Sequence, residues 1–600
     1  MRAAFSINAF DAPVVNPAAG SISFKRSIMR IRIHLSSALL VTVCAALLPL
    51  AASGAEDRIL VNGRIFTANP QQPYAEAVSF RNGKILAVGN RRDVEASVGG
   101  DARVTDLGGK MLLPGLIDSH VHAVYGGVGL LSADAKNHIA NVDALVAFVA
   151  EAKSSGRGMS GDVLVVTGVP LGIWSHNAEL NARFNGGAYA NQPLFMGGMD
   201  GHTGWSNAAL RKRAGLNKVM IAKLPEEKRK YYGLEKDLTP NGFGVDEGLD
   251  IVKKKIPPTD ARKNLAGARA AVEYLHSLGI TSWLDPLSDA PILTAYRDLA
   301  AAGGLTAHVA AFPLVKPDDP NSLKDALALR AQFAGIPNLT LPGVKVFADG
   351  VVEYPSQSAA MTAPYTNTGK YGDLLFKPAN FAKLCIDADK QGLIVHTHAI
   401  GDLAVHEALN GYEAARKANG NSGLPHTITH LQFVRSEDID RFKPLGIVAA
   451  YQLLWAEYGF DTIDLIKPYV AGDIYAWQYP ARSMLDAGAV IAGASDWPVS
   501  TPEVFKGIYQ AETRLGEWHG EKGALDASQD MPREAMLYAY TINAARAMKE
   551  EASIGSIEVG KAADFALVDR DVLTVPAEQM RDTKVLWTMV AGEWVYRAKE

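Results

Sequence analysis

The sequence has almost no cysteine: two in 600 residues. Cys44 falls in an N-terminal stretch that reads as removable, which leaves Cys385 alone. A single thiol forms no internal disulfide, so the fold must rest on its core, and a thiolate-rich metal site is excluded. A surplus of either charge is also missing. Sixty Lys and Arg stand against 64 Asp and Glu, for a net charge of -4, without the basic excess of a nucleic-acid-binding domain. Apolar runs are few, and the longest, Leu39 to Leu50, is too short to span a bilayer comfortably. There is no low-complexity segment and no long internal repeat. What remains is an ordinary globular composition, 48% hydrophobic and 21% charged. Length alone suggests about four domains, an upper bound because single α/β barrels often exceed that guide.

The N-terminus predicts export. Lys25, Arg26, Arg30 and Arg32 precede the apolar run, and small residues, Ser53 and Ala55, stand at the -3 and -1 positions of a cleavage site. Val41-Thr42-Val43 lacks the small residues of a lipid-attachment signal before Cys44. The reading is a signal peptide over 1–55 and a periplasmic or secreted product with no stable membrane insertion after cleavage.

Beyond it the pattern changes twice. Residues 56–113 carry short apolar runs broken by Asn62-Gly63 and Asn82-Gly83, which predict β-hairpins. Residues 551–600 are built in the same way. Gly555 to Val568 reads as strand, turn, strand, and Val585 to Val595 as two strands around Ala591-Gly592. The two ends together predict one small β-sandwich domain. Between them, 114–550 alternates apolar strands with helical stretches. Candidate strands are Gly115 to Asp118, Gly279 to Trp283, Leu305 to Phe312, Gly343 to Phe347, Gly392 to His398, His426 to His430, Gly446 to Gln452 and Ala489 to Ala494. Strand then helix, repeated in this way, predicts an α/β fold, a (β/α)8 TIM-type barrel. An insertion at about 160–250 holds two extra strands, Val163 to Val169 and Pro193 to Gly197, and would lie over the barrel mouth. Its charge run, Glu226 to Lys230, reads as a solvated helix face.

The chemistry begins with Asp118-Ser119-His120-Val121-His122. Residues two apart on a strand share a face, so both histidines can reach one metal ion, and imidazole suits zinc and other transition metals. A bare His-X-His is common. Its weight comes from its place at the C-terminal end of the first strand, where barrel active sites form. His398, His430 and Asp496 fall at the same ends of strands five, six and eight. Each alone reads more readily as a satisfied polar residue; their convergence on one end of the barrel is the argument for a site. Lys345 lies inside an apolar strand, where a cation is costly. Burial favours the neutral amine, which can take up carbon dioxide as a carbamate. The alternative is an ion pair with Asp349.

These motifs resemble those of the amidohydrolase superfamily, in its N-substituted formamide deformylase-like branch (amidohydrolase family 3). They are Pro114 to His122, Asp200-Gly201-His202, Lys345 with Asp349-Gly350, His398 to Asp402, His430, Gly493 to Asp496 and Gly555 to Asp564. Thr429 departs from the pattern, since relatives often carry an acidic residue there. The resemblance implies two divalent ions, zinc by donor type. His120, His122 and Asp496 would hold the more buried ion, His398 and His430 the second, and carboxylated Lys345 would bridge them; without that modification a single-metal site is the fallback. A metal-activated hydroxide would attack a carbonyl, with Asp496 taking the proton and passing it to the leaving nitrogen. His202 would donate to the carbonyl oxygen, or be structural. Trp174, His176, Trp205, Tyr354, Trp455, Tyr458 and Trp497 would line an aromatic pocket or simply pack. The expected activity is hydrolysis of an amide or N-substituted formamide C–N bond in a small-molecule substrate. Esters, lactams, cyclic ureas and phosphoesters fit the same chemistry, and a non-catalytic exported binding protein is the third reading. No organic cofactor or nucleic-acid partner is expected, and a homo-oligomer is compatible with the sequence.

Overall fold

A computed structural model describes residues 57–135, 139–257, 260–516 and 523–599; the expected signal segment lies outside them. All eight expected parallel strands form: Leu116–Asp118, Ile280–Pro286, His308–Phe312, Gly343–Phe347, Ile394–Ala399, Thr427–His430, Val448–Tyr451 and Val490–Gly493. The first three join in chain order in one sheet, extended at its edge by Leu339–Thr340, and the last five join in chain order in another. Every pairing among them is parallel. A parallel bridge between Leu314 and Lys345 links the two sheets, with Lys345 N–H donating to Pro313 at 2.8 Å. At the other edge Ser119 N–H donates to Gly493 at 3.0 Å, so the eighth strand meets the first. Nearly every residue in the eight strands is buried, as expected of parallel strands covered on both faces.

The covering helices start and stop on local signals. Asp260 caps Ala261–Ser277 by accepting from Lys263 N–H, and Asp289 caps Ala290–Ala301 with proline in the first turn. Pro378 opens Pro378–Lys390, and Gly420 follows Asp402–Asn419. The helix Ala123–Leu130 begins directly at His122 and lies against Ala261–Ser277. The contact is close because Gly127 faces Gly267: a Cβ on Gly127 would come within 1.9 Å of the Gly267 carbonyl oxygen.

Both chain ends contribute to the flanking β structure. One sheet holds Arg58–Val61, Ala77–Arg81, Lys84–Gly89 and Arg103–Asp106; a second, six-stranded sheet joins Arg64–Phe66, Tyr74–Ala75 and Met111–Pro114 to Phe565–Val568, Val585–Val590 and Glu593–Arg597. Leu60, Phe80 and Ile85 of the first share a core with Ile65, Phe565 and Met589 of the second. The expected turns at Asn82-Gly83 and Ala591-Gly592 form, each with two consecutive positive φ angles (51° and 72°; 47° and 78°), the geometry of a two-residue hairpin.

Two expected strand pairs do not form. At Asn62-Gly63 only Asn62 is left-handed, at φ 58°. Gly63 instead permits close approach, since a Cβ there would come within 2.8 Å of Lys110 O, and the chain crosses from one sheet to the other without pairing on itself. Gly555 to Asp564 is not a strand. Its backbone bonds to the N-terminal segments, with Ile557 N–H on Thr67 and Ala563 N–H on Gly83, which removes the partner a local hairpin needs.

The insertion contains the two expected strands, as Val163–Val169 and Leu194–Gly198, within a seven-stranded sheet that begins earlier, at Ala133–Asp134, and ends at Pro240–Val245. Its core includes Leu164, Met196, Phe184 and Trp205. The charge run is a short helix, Glu226–Arg229, with no buried residue.

Candidate metal centre

His120, His122 and Asp496 follow the C-terminal ends of the first and eighth strands. Their donor atoms lie within 4.8 Å of one another. Asp496 Oδ1 is 3.3 Å from His120 Nε2 and 3.2 Å from His122 Nε2. That oxygen is buried with no hydrogen-bond partner among the described residues, an arrangement that costs stability unless another group satisfies it. His398 and His430 face each other with ring centroids 4.4 Å apart, and His430 lies 5.1 Å from His120.

Each imidazole is held by one nitrogen. His122 Nδ1 donates to Pro286 O at 3.1 Å, His398 Nε2 to Gly350 O at 3.0 Å, and His430 Nδ1 to Gln452 Oε1 at 3.0 Å. His120 Nδ1 meets His396 Nε2 at 2.8 Å. Anchoring one nitrogen fixes the tautomer and leaves the other as a lone pair, the arrangement a metal-ligating histidine requires. Burial holds three of the rings neutral: it drives His120 and His430 far below the ordinary imidazole value and His398 to about 3, with the nearby Lys345 charge adding to the effect. The donor set, four imidazoles and a carboxylate with an unsatisfied oxygen, fits a divalent transition metal.

The loops that carry these groups are fastened to one another. Asp118 Oδ1 accepts from His120 N–H and Ser495 N–H, both at 3.1 Å, and Asp118 Oδ2 accepts from the Ser495 hydroxyl. Asp496 N–H donates to His120 O at 2.8 Å. His430 and Asp496 both adopt positive φ, 80° and 56°, a conformation unfavourable for residues other than glycine. Strain at two positions of one cluster is the pattern expected where surroundings force a functional geometry.

Lys345 is in the fourth strand, 1% exposed, with its ammonium 4.8 Å from the Phe347 ring. Burial lowers its pKa to about 7, against a small opposing pull from Asp496. The alternative pairing with Asp349 is not observed: Asp349 accepts from Ala360, Ile400 and Gly401 N–H at 2.8–3.0 Å and lies 3.5 Å from His398.

His202 stands apart, in the insertion. Its Nδ1 is 2.8 Å from Asp246 Oδ1, and Asp246 N–H returns to His202 O at 2.9 Å. Asp200 accepts from His202 N–H at 3.1 Å. Burial opposes the charged ring, but Asp246, with smaller contributions from Asp200 and Glu353, raises its pKa above the ordinary value. Its charge in turn contributes to holding His398 neutral, which puts the insertion within electrostatic reach of the histidine cluster.

Among the aromatic candidates, Trp455 stacks on His430 with rings 5.6 Å apart and nearly parallel. Trp205 is fully buried in the insertion core and bonds Asn177, and exposed His176 lies 3.8 Å from Glu179. Sequence reasoning missed His396, Asp246, Gln452 and the clamp made by Asp118. Only His396 had a signal: it precedes His398 by two residues on one strand.

The sequence pattern of the amidohydrolase family matches residues 103–596. Protein LONG AFTER FAR-RED 3 of Arabidopsis thaliana is 26% identical over 90% of this chain and 91% of its own. An N-substituted formamide deformylase of Arthrobacter pascens is 24% identical over 89% of this chain and 97% of its own. In structure, the chain resembles an uncharacterized metal-dependent hydrolase of Pyrococcus horikoshii, with a TM-score of 0.68 and 22% identity over 87% of this chain and 99% of that one. The chain belongs to the amidohydrolase family and has an α/β TIM-type fold.

Proposed function

We propose that this protein is a metal-dependent hydrolase that cleaves a C–N bond, in an amide or an N-substituted formamide. The observation that carries the reading is the buried, unpartnered Asp496 Oδ1 lying 3.2 and 3.3 Å from two histidine nitrogens. A cation at that point would satisfy an oxygen that makes no hydrogen bond among the described residues. His120, His122 and Asp496 would hold one ion and His398 and His430 a second, and Lys345, taken to the carbamate, would supply a further anionic ligand. The eight parallel strands form a closed (β/α)8 barrel, and the two flanking sheets, with strands from Arg58 to Pro114 and from Phe565 to Arg597, form a β-sandwich.

Bound metal supplies Lewis acidity and a water acidic enough to ionise near neutral pH. The chain's own residues do the rest. Asp496 accepts the water proton and delivers it to the leaving nitrogen, so that the amine departs neutral. His202, held by Asp246, donates to the carbonyl oxygen as negative charge develops there. Trp455, stacked on His430, gives the substrate an apolar wall and excludes water. The identity of the deformylase relative supports the C–N preference. Residues 1–55 direct export.

The test is a substrate panel on purified protein, with amides, N-substituted formamides, lactams, esters and phosphoesters, combined with metal analysis. We expect stoichiometric metal, turnover on the C–N substrates, and loss of turnover on chelation that is restored by zinc. Protein without metal, unaffected by chelators, would overturn the enzyme reading. Turnover confined to esters or phosphoesters would overturn the C–N assignment.

A further inference from the structure

His396 lies on the fifth strand, two residues before His398, so both side chains leave the same face. Its cross-strand neighbour is Lys345. It is fully buried, and its Nε2 is 2.8 Å from His120 Nδ1, with ring centroids 4.9 Å apart. Its other nitrogen, Nδ1, is buried with no hydrogen-bond partner among the described residues. A fully buried histidine with an unsatisfied nitrogen is a poor way to stabilise a core, so its presence here needs another reason.

We propose that His396 is a positioning residue that holds His120 in the metal-binding tautomer. A neutral imidazole carries one N–H. His120 Nε2 can offer a lone pair to a metal only when its hydrogen is on Nδ1. That N–H points into a buried region and needs an acceptor, and His396 Nε2 is the one present at 2.8 Å. Without it, nothing holds the hydrogen on His120 Nδ1, and the form with hydrogen on Nε2, the nitrogen 3.3 Å from Asp496 Oδ1, competes. The lone pair is then on the wrong nitrogen for a metal beside Asp496. The unsatisfied His396 Nδ1 follows from the same arrangement, because a ring that accepts at Nε2 must carry its own hydrogen on Nδ1.

The inference rests on the metal-centre reading above, and one experiment separates the two. The full chain is stripped of metal, and Zn²⁺ affinity is measured by competition with a chromophoric chelator for wild type, His396→Leu and His396→Gln. Unfolding of the metal-free forms is measured in parallel. Loss of such a supporting partner lowers metal affinity about 10–100-fold. We expect that loss in His396→Leu, which has no acceptor, and recovery to within about threefold in His396→Gln, whose amide oxygen can accept. The metal-free His396→Leu protein should be at least as stable as wild type, because an unsatisfied polar ring is gone; a purely structural role predicts that it is less stable. Wild-type affinity in His396→Leu, or equal losses in both variants with reduced metal-free stability, overturns the proposal while leaving the metal centre standing. Failure of the wild type itself to bind Zn²⁺ removes both.

Discussion

Replacing Gly127 with alanine tests whether the helix after the His-X-His motif is locked in place by backbone contact. Local propensity predicts a gain: alanine in a helix is favoured over glycine by roughly 0.5–1 kcal/mol. Packing predicts the opposite. The new Cβ would lie 1.9 Å from the Gly267 carbonyl oxygen, 2.7 Å from its carbonyl carbon and 2.9 Å from Ala271 N. These are main-chain atoms of a 17-residue helix, which cannot rotate aside as a side chain could. Overpacking typically costs about 1–3 kcal/mol; a backbone clash on both sides belongs at the upper end, for a net loss of about 2 kcal/mol. The strain does not stay local. Ala123–Leu130 starts at His122, whose N–H donates to Trp497 O at 2.8 Å, so a displaced helix carries a proposed ligand with it. Gly126→Ala is the comparison, because its Cβ would meet the Trp497 ring at 2.5 Å rather than backbone. The assay is urea unfolding of the metal-free proteins with Zn²⁺ affinity measured alongside. Gly127→Ala should unfold at lower urea and bind Zn²⁺ more weakly. A variant as stable as wild type, or more stable, would refute the reasoning.

Other changes separate the roles of individual groups. Asp496→Asn should lower turnover at least about 10²–10⁴-fold, the usual worth of a positioned base, with circular dichroism unchanged; retained turnover would remove Asp496 as the base. Asp246→Asn acts on the His202 pKa. Asp246 raises that value, so the ion pair's stabilisation is full below the ordinary histidine value and fades as pH rises through the raised one. If protonated His202 donates to the carbonyl, turnover falls on the alkaline side at that same raised value, and the variant should shift this limb to lower pH; an unmoved limb would exclude the dyad. Asp389→Ala removes a buried carboxylate that accepts from Arg416 and Ser422 and lies 3.0 Å from His426 Nε2. Leaving Arg416 without its carboxylate should cost about 3–5 kcal/mol. Burial opposes the Asp389 charge but its partners lower its pKa on balance, so the stability it lends is present above the ordinary aspartate value and lost as pH falls through the lowered one. Urea unfolding across acid pH should show that slope in wild type and its absence in the variant.

The parallel strands were legible because each is a short apolar run opened or closed by glycine or a polar end, as in Gly343 to Phe347, and because a helix signal follows most of them. Hairpins were legible where local backbone decides the turn, at Asn82-Gly83, and not where distant packing does. Gly63 is used for close approach to Lys110, and Gly555 to Asp564 bonds to segments nearly 500 residues earlier. The same division holds in the cluster. His120, His122, His398, His430 and Asp496 could be found because strand ends are visible in sequence, and they do come together. Asp246 could not, since its partner His202 is 44 residues away and no periodicity connects them. Gln452 acts on His430 across neighbouring strands, a relation that exists only once the register is set.

What the geometry adds is that the proposed ligands are held from behind by the protein itself. Pro286, Gly350, Gln452 and His396 each occupy one histidine nitrogen, and Asp118 ties the loop of His120 to the loop of Asp496. A site assembled by the metal would leave both nitrogens of each ring free to turn and its backbone relaxed. Here the backbone is strained at His430 and Asp496, and one carboxylate oxygen is left unsatisfied. The rest of the fold therefore offsets the strain of the arrangement. Metal binding should accordingly add stability through that one oxygen and the facing lone pairs, without creating the fold. Stripping the metal should abolish turnover while leaving a compact, cooperatively unfolding protein.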